Sequence, residues 1–151
     1  MIRKLALCAA SLSCLVAAPA AIAKEYKDYS PGKGVWSINA IEVDPNHIDE
    51  YLTGLRKSQV PGFEIMKKHG IIDEYHFATR DGYSKGSPNV LIEVHYTSHA
   101  MLEPDQARDT MIENEILAVF SEEAGKTAVA GYEKYRTFLD NGMWTEVVMA
   151  K

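Results

Sequence analysis

The sequence predicts a single α+β domain in which a four-stranded antiparallel sheet carries its helices on one face. Four segments have the residue pattern of strands, two helical regions separate them, and the order along the chain is β-α-β-β-α-β. Crossover connections between strands are right-handed. With the strands numbered along the chain, this order therefore predicts the spatial order 4-1-3-2.

The first strand is predicted over residues 34–43, because side chains there alternate with a period of two. One side has Trp36, Ile38 and Ala40, and the other has Ser37, Asn39 and Ile41.

The first helical region is predicted to begin at Asp44-Pro45, since Asp is a favoured N-cap and Pro is favoured at the first helical position. Apolar residues follow at helical spacing, namely Ile48, Tyr51, Leu52 and Leu55. We expect Pro61-Gly62 to interrupt this region and a last helical piece to end at Gly70, because Gly is typical just after a helix.

Two further strands are predicted over residues 71–80 and 89–97, which alternate in the same way. The loop between them, residues 81–88, is rich in Gly, Ser and Pro.

A largely helical region is predicted from Pro104 to Leu139, with a break near Gly125. Its second half repeats one face at Ala128, Tyr132, Tyr135 and Leu139. Asn141-Gly142 is expected to end the region, and residues 143–149 are expected to form the closing strand.

Residues 1–23 have the three parts of a cleavable signal peptide. Arg3 and Lys4 are positively charged, residues 5–16 are uncharged and mostly apolar, and residues 17–23 are mostly small. The apolar run is shorter than the roughly 20 residues that a membrane-spanning helix needs. We therefore expect a periplasmic or secreted protein that begins near Lys24 and has no stable membrane anchor.

Cleavage after residue 23 would leave 128 of the 151 residues, made up of a flexible leader, 24–33, and one domain, 34–151. Both cysteines, Cys8 and Cys14, lie in the signal segment, so the mature chain has no disulfide and no thiolate nucleophile. Outside that segment, 14 basic residues stand against 21 acidic ones. This negative balance argues against nucleic acid as a partner.

A set of polar side chains is predicted to share one face of the sheet, because alternate residues of a strand point the same way. The set is Glu74, His76 and Arg80 on the second strand, Glu93, His95 and Thr97 on the third, and Ser37 and Asn39 on the first. Apolar contacts on the same face are expected from Ile41 and Leu91. The apolar positions Tyr75, Phe77, Val90, Ile92, Val94 and Tyr96 are expected to pack under the helices.

This pattern of polar residues favours a catalytic or binding pocket. His76 or His95 would act as an acid or base, Glu74 or Glu93 would orient the imidazole, and Arg80 would bind an anion. The alternative is a solvated or interface surface on which the charges only pair. Two His and a carboxylate would also suit a metal, but no His pair has the spacing of a known metal motif, so no metal ligand is assigned.

The element order, together with the opening segment 36–43 and its acidic-Pro helix start, resembles the dimeric α/β-barrel superfamily. This superfamily has a ferredoxin-like fold and includes the antibiotic-biosynthesis-monooxygenase and stress-responsive barrel families. The resemblance implies a homodimer in which two sheets pack face to face. Its haem-degrading members have an Asn on the first strand, which Asn39 matches, and a His on the second helical region. Here no His lies between Met101 and Lys151.

Three classes of function stay open. The first is a cofactor-independent oxygenase or isomerase that acts on a hydrophobic or aromatic molecule inside the barrel. The second is a non-catalytic protein that binds such a ligand or haem, and the third is a structural dimer without a small-molecule site. A cavity of several hundred Å³ beside His76 and His95 would favour the first two. The sequence assigns no cofactor.

Overall fold

Four long strands form one antiparallel sheet in the computed structural model, which describes residues 23–151. The strands are β1 (Tyr29–Pro31), β2 (Val35–Val43), β3 (Ile72–Thr79), β4 (Val90–Tyr96), β5 (Arg136–Trp144) and β6 (Val147–Met149), and the helices are α1 (Ile48–Ser58), α2 (Val60–Lys68), α3 (Gln106–Val119) and α4 (Glu122–Tyr132). The large sheet has the order β3-β4-β2-β5. The four predicted strands correspond in chain order to β2, β3, β4 and β5. Read from the β5 edge, the observed order is therefore the predicted order 4-1-3-2, and the ferredoxin-like α+β fold is confirmed.

Residues 1–22, which contain nearly all of the predicted signal peptide and both cysteines, lie outside the described residues. Over residues 23–151, every helix is too short or too polar to cross a bilayer.

The first helical region begins as predicted and is interrupted two residues earlier than predicted. The Asp44 carboxylate accepts a hydrogen bond from the Asn46 backbone N–H at 2.9 Å and caps a 3₁₀ turn that leads into α1. The interruption lies at Gln59, and Pro61 is the second residue of α2, where a missing N–H removes no helical hydrogen bond. Gly70, with φ +68°, follows α2 as predicted.

The second helical region breaks at Ser121 and not near Gly125. The Ser121 hydroxyl accepts a hydrogen bond from the Ala124 backbone N–H at 3.3 Å and caps α4. Gly125 lies inside α4 and does not have the positive φ of a glycine that ends a helix. The Ser cap therefore sets the boundary that the glycine was expected to set.

The closing strand of the sheet was also predicted wrongly, because β5 lies mostly before residues 143–149. Asn141 and Gly142 were expected to form a turn, but they lie inside β5 and pair with Asn39 and Ile38 of β2. Pairing with a central strand satisfies the backbone N–H and C=O groups of this segment. This gain outweighs the local turn preference of the Asn-Gly pair.

The segment 24–33 differs from the expected flexible leader, because it contains β1. Strand β1 pairs antiparallel with β6, and Tyr29 lies opposite Met149. The Gly32 N–H donates to the Glu146 carbonyl at 2.7 Å, which continues the contact beyond the paired residues. The two ends of the described chain are therefore joined in a small second sheet.

The hydrophobic core lies between the large sheet and its helices. Tyr51 and Leu55 from α1, Ile112 from α3 and Tyr132 from α4 all enter one buried cluster with sheet residues. The sheet residues of that cluster are Ile41, Val43, Ile72, Val90, Ile92 and Val94. These helices therefore share one side of the sheet and leave the other side without a helical layer.

That other side is called the open face. Strand register defines its members, because residues that pair directly across a sheet point the same way. They are Trp36, Ile38 and Ala40 on β2, Glu74, His76 and Ala78 on β3, Leu91, Glu93 and His95 on β4, and Asp140, Gly142 and Trp144 on β5.

Candidate functional site

The open face brings four of the predicted site residues together. Glu74 lies opposite His95 and His76 lies opposite Glu93 in the register of β3 and β4. These two pairs are adjacent on neighbouring strands, so both imidazoles and both carboxylates share one part of the face.

His95 is the more buried imidazole and has a carboxylate partner that the sequence pattern did not indicate. Its Nδ1 lies 2.5 Å from the Asp73 Oδ1, and its side chain is 16% exposed. An ionised carboxylate only accepts hydrogen bonds, so Nδ1–H donates. In the neutral imidazole, Nε2 then carries the lone pair, and this atom has no hydrogen-bond partner among residues 23–151. This is the tautomer that a general base requires.

A β-bulge explains why Asp73 reaches His95. The register between β3 and β4 shifts between Ile72 and Glu74, so Asp73 is the additional residue of β3. A bulge re-aims the side chain of its extra residue. Strict alternation would have pointed the Asp73 carboxylate away from the face that holds Glu74.

Gly34 makes the space in which the His95 ring lies. A Cβ at this position would lie 2.6 Å from His95 Nε2 and 2.4 Å from the Tyr96 carbonyl oxygen. Gly34 also has φ +78°, a conformation that residues with a Cβ rarely adopt. Both features require glycine just before β2, and the missing Cβ leaves room for the imidazole.

Trp36 contacts both imidazoles. Its ring centroid is 4.8 Å from that of His95 and 5.7 Å from that of His76, with the His76 ring nearly perpendicular. His76 Nε2 is in turn 2.9 Å from the Glu74 Oε1, and the His76 side chain is 49% exposed. We call Trp36, His76, His95, Asp73 and Glu74 the His–Trp cluster.

Ser37, Asn39 and Ile41 do not belong to the open face, which corrects the predicted set. Ser37 lies opposite Val94 and Asn39 opposite Ile92, and both of these partners are buried under the helices. Ile41 is itself fully buried in the core. The prediction assigned faces by grouping polar residues across strands. In the structure Val35, Ile41 and Val43 are buried, so the odd-numbered side chains of β2 point toward the helices.

Arg80, Thr97 and Glu93 take no direct part in the His–Trp cluster. Arg80 follows the end of β3 and lies four residues from His76, about 13 Å along an extended strand. The Thr97 hydroxyl donates to the Gly70 carbonyl at 2.9 Å, which joins the end of β4 to the end of α2. Glu93 lies opposite His76 but forms no ion pair within the described chain.

The chemistry of the His–Trp cluster is that of acid–base catalysis and aromatic binding. Each imidazole contacts one carboxylate, and the indole supplies a flat apolar surface beside both imidazoles. In residues 23–151, no group of three or more His, Cys, Asp or Glu side chains is arranged to hold a metal ion. In a single chain the cluster lies on an open surface, because half of the His76 side chain is exposed.

No protein-family model and no curated protein matches this chain. A dimeric ferredoxin-like protein from an uncultured marine organism is 8% identical, over 80% of this chain and 91% of that one, with a TM-score of 0.47. A dimeric ferredoxin-like protein of unknown function from Thermobifida fusca is 12% identical over 78% and 92%, with a TM-score of 0.41.

A NIPSNAP family protein of unknown function from Agrobacterium tumefaciens is 12% identical, over 78% of this chain and 88% of that one, with a TM-score of 0.38. Likenesses of this strength carry no argument about activity or assembly. The ferredoxin-like fold of this chain therefore follows from its own strand order and from the position of its helices.

Proposed function

We propose that this protein is an exported homodimer that binds a hydrophobic or aromatic small molecule at the His–Trp cluster. One observation supports this proposal above all others. Trp36 is contacted by two imidazoles, and each of these imidazoles lies within 2.9 Å of a carboxylate. A sheet surface that only meets solvent has no need of this arrangement.

A second copy is the proposed cover of the open face. A sheet with helices on one side must bury its other apolar side against another layer. The open face combines apolar side chains, among them Ile38, Leu91 and Trp144, with the charged groups of the cluster. A twofold axis would place the same surface on both partners and would enclose the cluster between two sheets.

The proposed chemistry is proton transfer by His95. With Nδ1–H donated to Asp73, Nε2 has the lone pair that would take a proton from a molecule bound beside Gly34. Asp73 then stabilises the imidazolium that forms. Such a base suits an isomerase, or an oxygenase whose substrate is first deprotonated, as in the antibiotic-biosynthesis-monooxygenase type that the sequence resembles. Binding without turnover uses the same residues.

The test measures folding and binding on the same variants. We suggest 2-naphthol as a neutral aromatic probe and isothermal titration calorimetry as the measurement of its binding. We expect His95→Ala and His76→Ala to weaken binding about tenfold, the value of one lost hydrogen bond or ring contact. Melting temperatures should change little, because no hydrophobic core residue is altered.

His99→Ala is the matched control, because His99 is exposed and its Nε2 contacts only Thr145 among the described residues. It should bind like the unmodified protein. If both cluster variants unfold, the His–carboxylate pairs are structural and the function is that of a structural dimer. If both bind the probe fully, the ligand site lies elsewhere.

Export is tested separately. Mass spectrometry of the protein from its native compartment should find an N-terminus at or within a few residues of Lys24. Recovery of a soluble form that still begins at Met1 would contradict export.

A further inference from the structure

A concave surface lies away from the open face, on the helical side of the domain. It has a volume of about 540 Å³ and lies between α2, α3 and the 3₁₀ turn His99–Leu102. We call it the α2–α3 groove. Small-molecule sites commonly have volumes of about 300–1,000 Å³. The groove is therefore large enough for a ligand of ordinary size.

The inner surface of the groove is apolar. Ile71 and Ile112 are buried at its floor, and Met66 and Met101 lie among its walls. Methionine side chains are flexible and polarisable, so they adapt to apolar ligands of different shape. Such a surface favours an alkyl chain or a ring over a polar molecule.

The rim of the groove has an excess of negative charge. The Arg108 guanidinium already forms an ion pair, because its Nε and its Nη2 both lie 2.9 Å from the Asp109 Oδ1. Its Nη2 also donates to the Glu103 backbone carbonyl at 2.6 Å. The carboxylates of Glu103 and Glu113 form no ion pair within residues 23–151. Two negative charges therefore remain beside the apolar surface.

We infer that the α2–α3 groove binds a cationic amphiphile, with its apolar part on Ile71 and Ile112 and its positive group beside Glu103 and Glu113. Charge complementarity selects this ligand over an anionic one of equal length, because an anion at the rim would meet two carboxylates. This site is separate from the His–Trp cluster, and the inference does not depend on the function proposed for that cluster.

Two probes with ten-carbon chains test the inference. Decyltrimethylammonium and decanoate differ in the sign of their head-group charge, and both can be titrated calorimetrically below their micelle concentrations. We expect decyltrimethylammonium to bind once per chain and about tenfold more tightly than decanoate, a preference that added salt reduces. Glu103→Gln with Glu113→Gln should remove this preference and leave the contribution of the alkyl chain.

A matched pair of lysine substitutions locates the binding site. Leu117 and Val119 are both exposed on α3, but only Leu117 lines the groove. Leu117→Lys should weaken decyltrimethylammonium binding about tenfold, because it adds a positive charge and removes apolar surface. Val119→Lys adds the same charge outside the groove and should change the affinity less than twofold. Circular dichroism checks that both variants fold.

Three binding results would overturn the inference. The first is the absence of saturable decyltrimethylammonium binding, and the second is equal affinity for decanoate. The third is an equal effect of the two lysine variants, which would mean that the probe binds the surface at large. If light scattering also shows that Leu117→Lys dissociates an assembly, the groove is a contact between copies of the chain and not a small-molecule site.

Discussion

Asn89 joins the start of β4 to the end of β2 through a buried side-chain amide. The residue is 4% exposed. Its Oδ1 accepts a hydrogen bond from the Val43 N–H and its Nδ2 donates to the Val43 carbonyl, both at 2.7 Å. One side chain therefore satisfies both polar backbone groups of a residue that is itself fully buried.

We expect Asn89→Ala to lower the free energy of unfolding by about 2–4 kcal/mol, because it leaves a buried donor and a buried acceptor without partners. Urea denaturation measures this change. Asn114→Ala, at an exposed position of α3, should change stability by less than about 0.5 kcal/mol. Equal effects of the two substitutions would show that the Asn89 bonds add nothing to stability.

Single residues also decide how much of the candidate site could be predicted. Alternation is regular over residues 74–79 of β3 and over residues 90–95 of β4, which pair with them. The pattern therefore correctly placed His76 and His95 on one face. The Asp73 contact could not be predicted, because a bulge interrupts alternation at that residue. The position of Trp36 beside the imidazoles could not be predicted either, because the size of a side chain does not show which face of β2 is buried.

Helices α1 and α4 cross closely at Gly54. A Cβ at this position would lie 2.1 Å from the Tyr132 Cδ1. Next to the crossing, the hydroxyl groups of Ser58 and Tyr132 share a hydrogen bond of 2.8 Å. The absent side chain of Gly54 therefore lets the Tyr132 ring approach α1 closely.

A pair of Gly→Ala substitutions tests this crossing. Gly54→Ala should lower the free energy of unfolding by about 1–3 kcal/mol, because the added methyl group overlaps the ring. Gly131→Ala in α4 meets no atom within 4 Å and should raise stability by about 0.4–1 kcal/mol, since alanine restricts the unfolded chain. Thermal unfolding measures both changes. A stabilising effect at both positions would contradict the close crossing.

Glu115 links α3 to the end of α2. Its carboxylate accepts hydrogen bonds from Lys68 Nζ at 2.9 Å and from His69 Nε2 at 2.8 Å. The Lys68 bond and then the His69 bond hold the pKa of the Glu115 carboxyl below its ordinary value of 4.5. A lowered carboxyl pKa stabilises the fold above that ordinary value, and the contribution is lost as the pH falls through the folded-state pKa.

We therefore expect Glu115→Gln to be less stable than the unmodified protein near neutral pH and equally stable well below pH 4.5. Urea denaturation across this pH range measures the difference. Glu113→Gln on the same helix removes a carboxylate that forms no ion pair in the described chain. The difference in stability between this variant and the unmodified protein should not shrink in this way as the pH falls. A difference that persists at low pH would mean that Glu115 acts through packing and not through its charge.

Among the elements, the β5 region was the least predictable. Tyr135 and Leu139 continue the helical spacing of Ala128 and Tyr132, so the local pattern favoured a longer α4. The helix ends at Tyr132 instead, and eight of the nine residues of β5 pair with β2. This pairing joins residues about one hundred positions apart, and a local pattern has no information about such a partner.

The assembly of the whole molecule depends on the open face. We expect light scattering at micromolar concentration to give a mass near 28 kDa, twice the roughly 14 kDa of a 128-residue chain. Trp144→Glu should give the monomer, because it adds a charge to the apolar part of the proposed interface. A wild-type mass near 14 kDa would contradict the homodimer.

The neighbouring residue provides the control. Met143 is 56% exposed and Trp144 is 57% exposed, but they point to opposite faces of the sheet. Met143→Glu should therefore remain dimeric. Monomers from both variants would place the contact at the edge of β5 and not on the open face.

At the scale of the whole molecule, the fold was predictable because it depends on few facts. Element order and the right-handed crossover together restrict the sheet to the arrangement that is observed. The predictions that were wrong at Gly125 and in β5 concerned the bounds of elements and did not change the order of the strands. The proposed dimer could not be derived in the same way, because the sequence shows an apolar face but not the surface that covers it.

The pairing of β1 with β6 has a consequence for the topology of the chain. Tyr29 and Met149 lie directly opposite each other, so a few added residues could connect the two ends of the segment 23–151 and close that segment into a ring. The ring could then be opened in the loop 81–88, where Gly82 and Gly86 already turn the chain at positive φ. Such a circular permutant would keep every strand pair of the domain, since no pair depends on where the polypeptide starts.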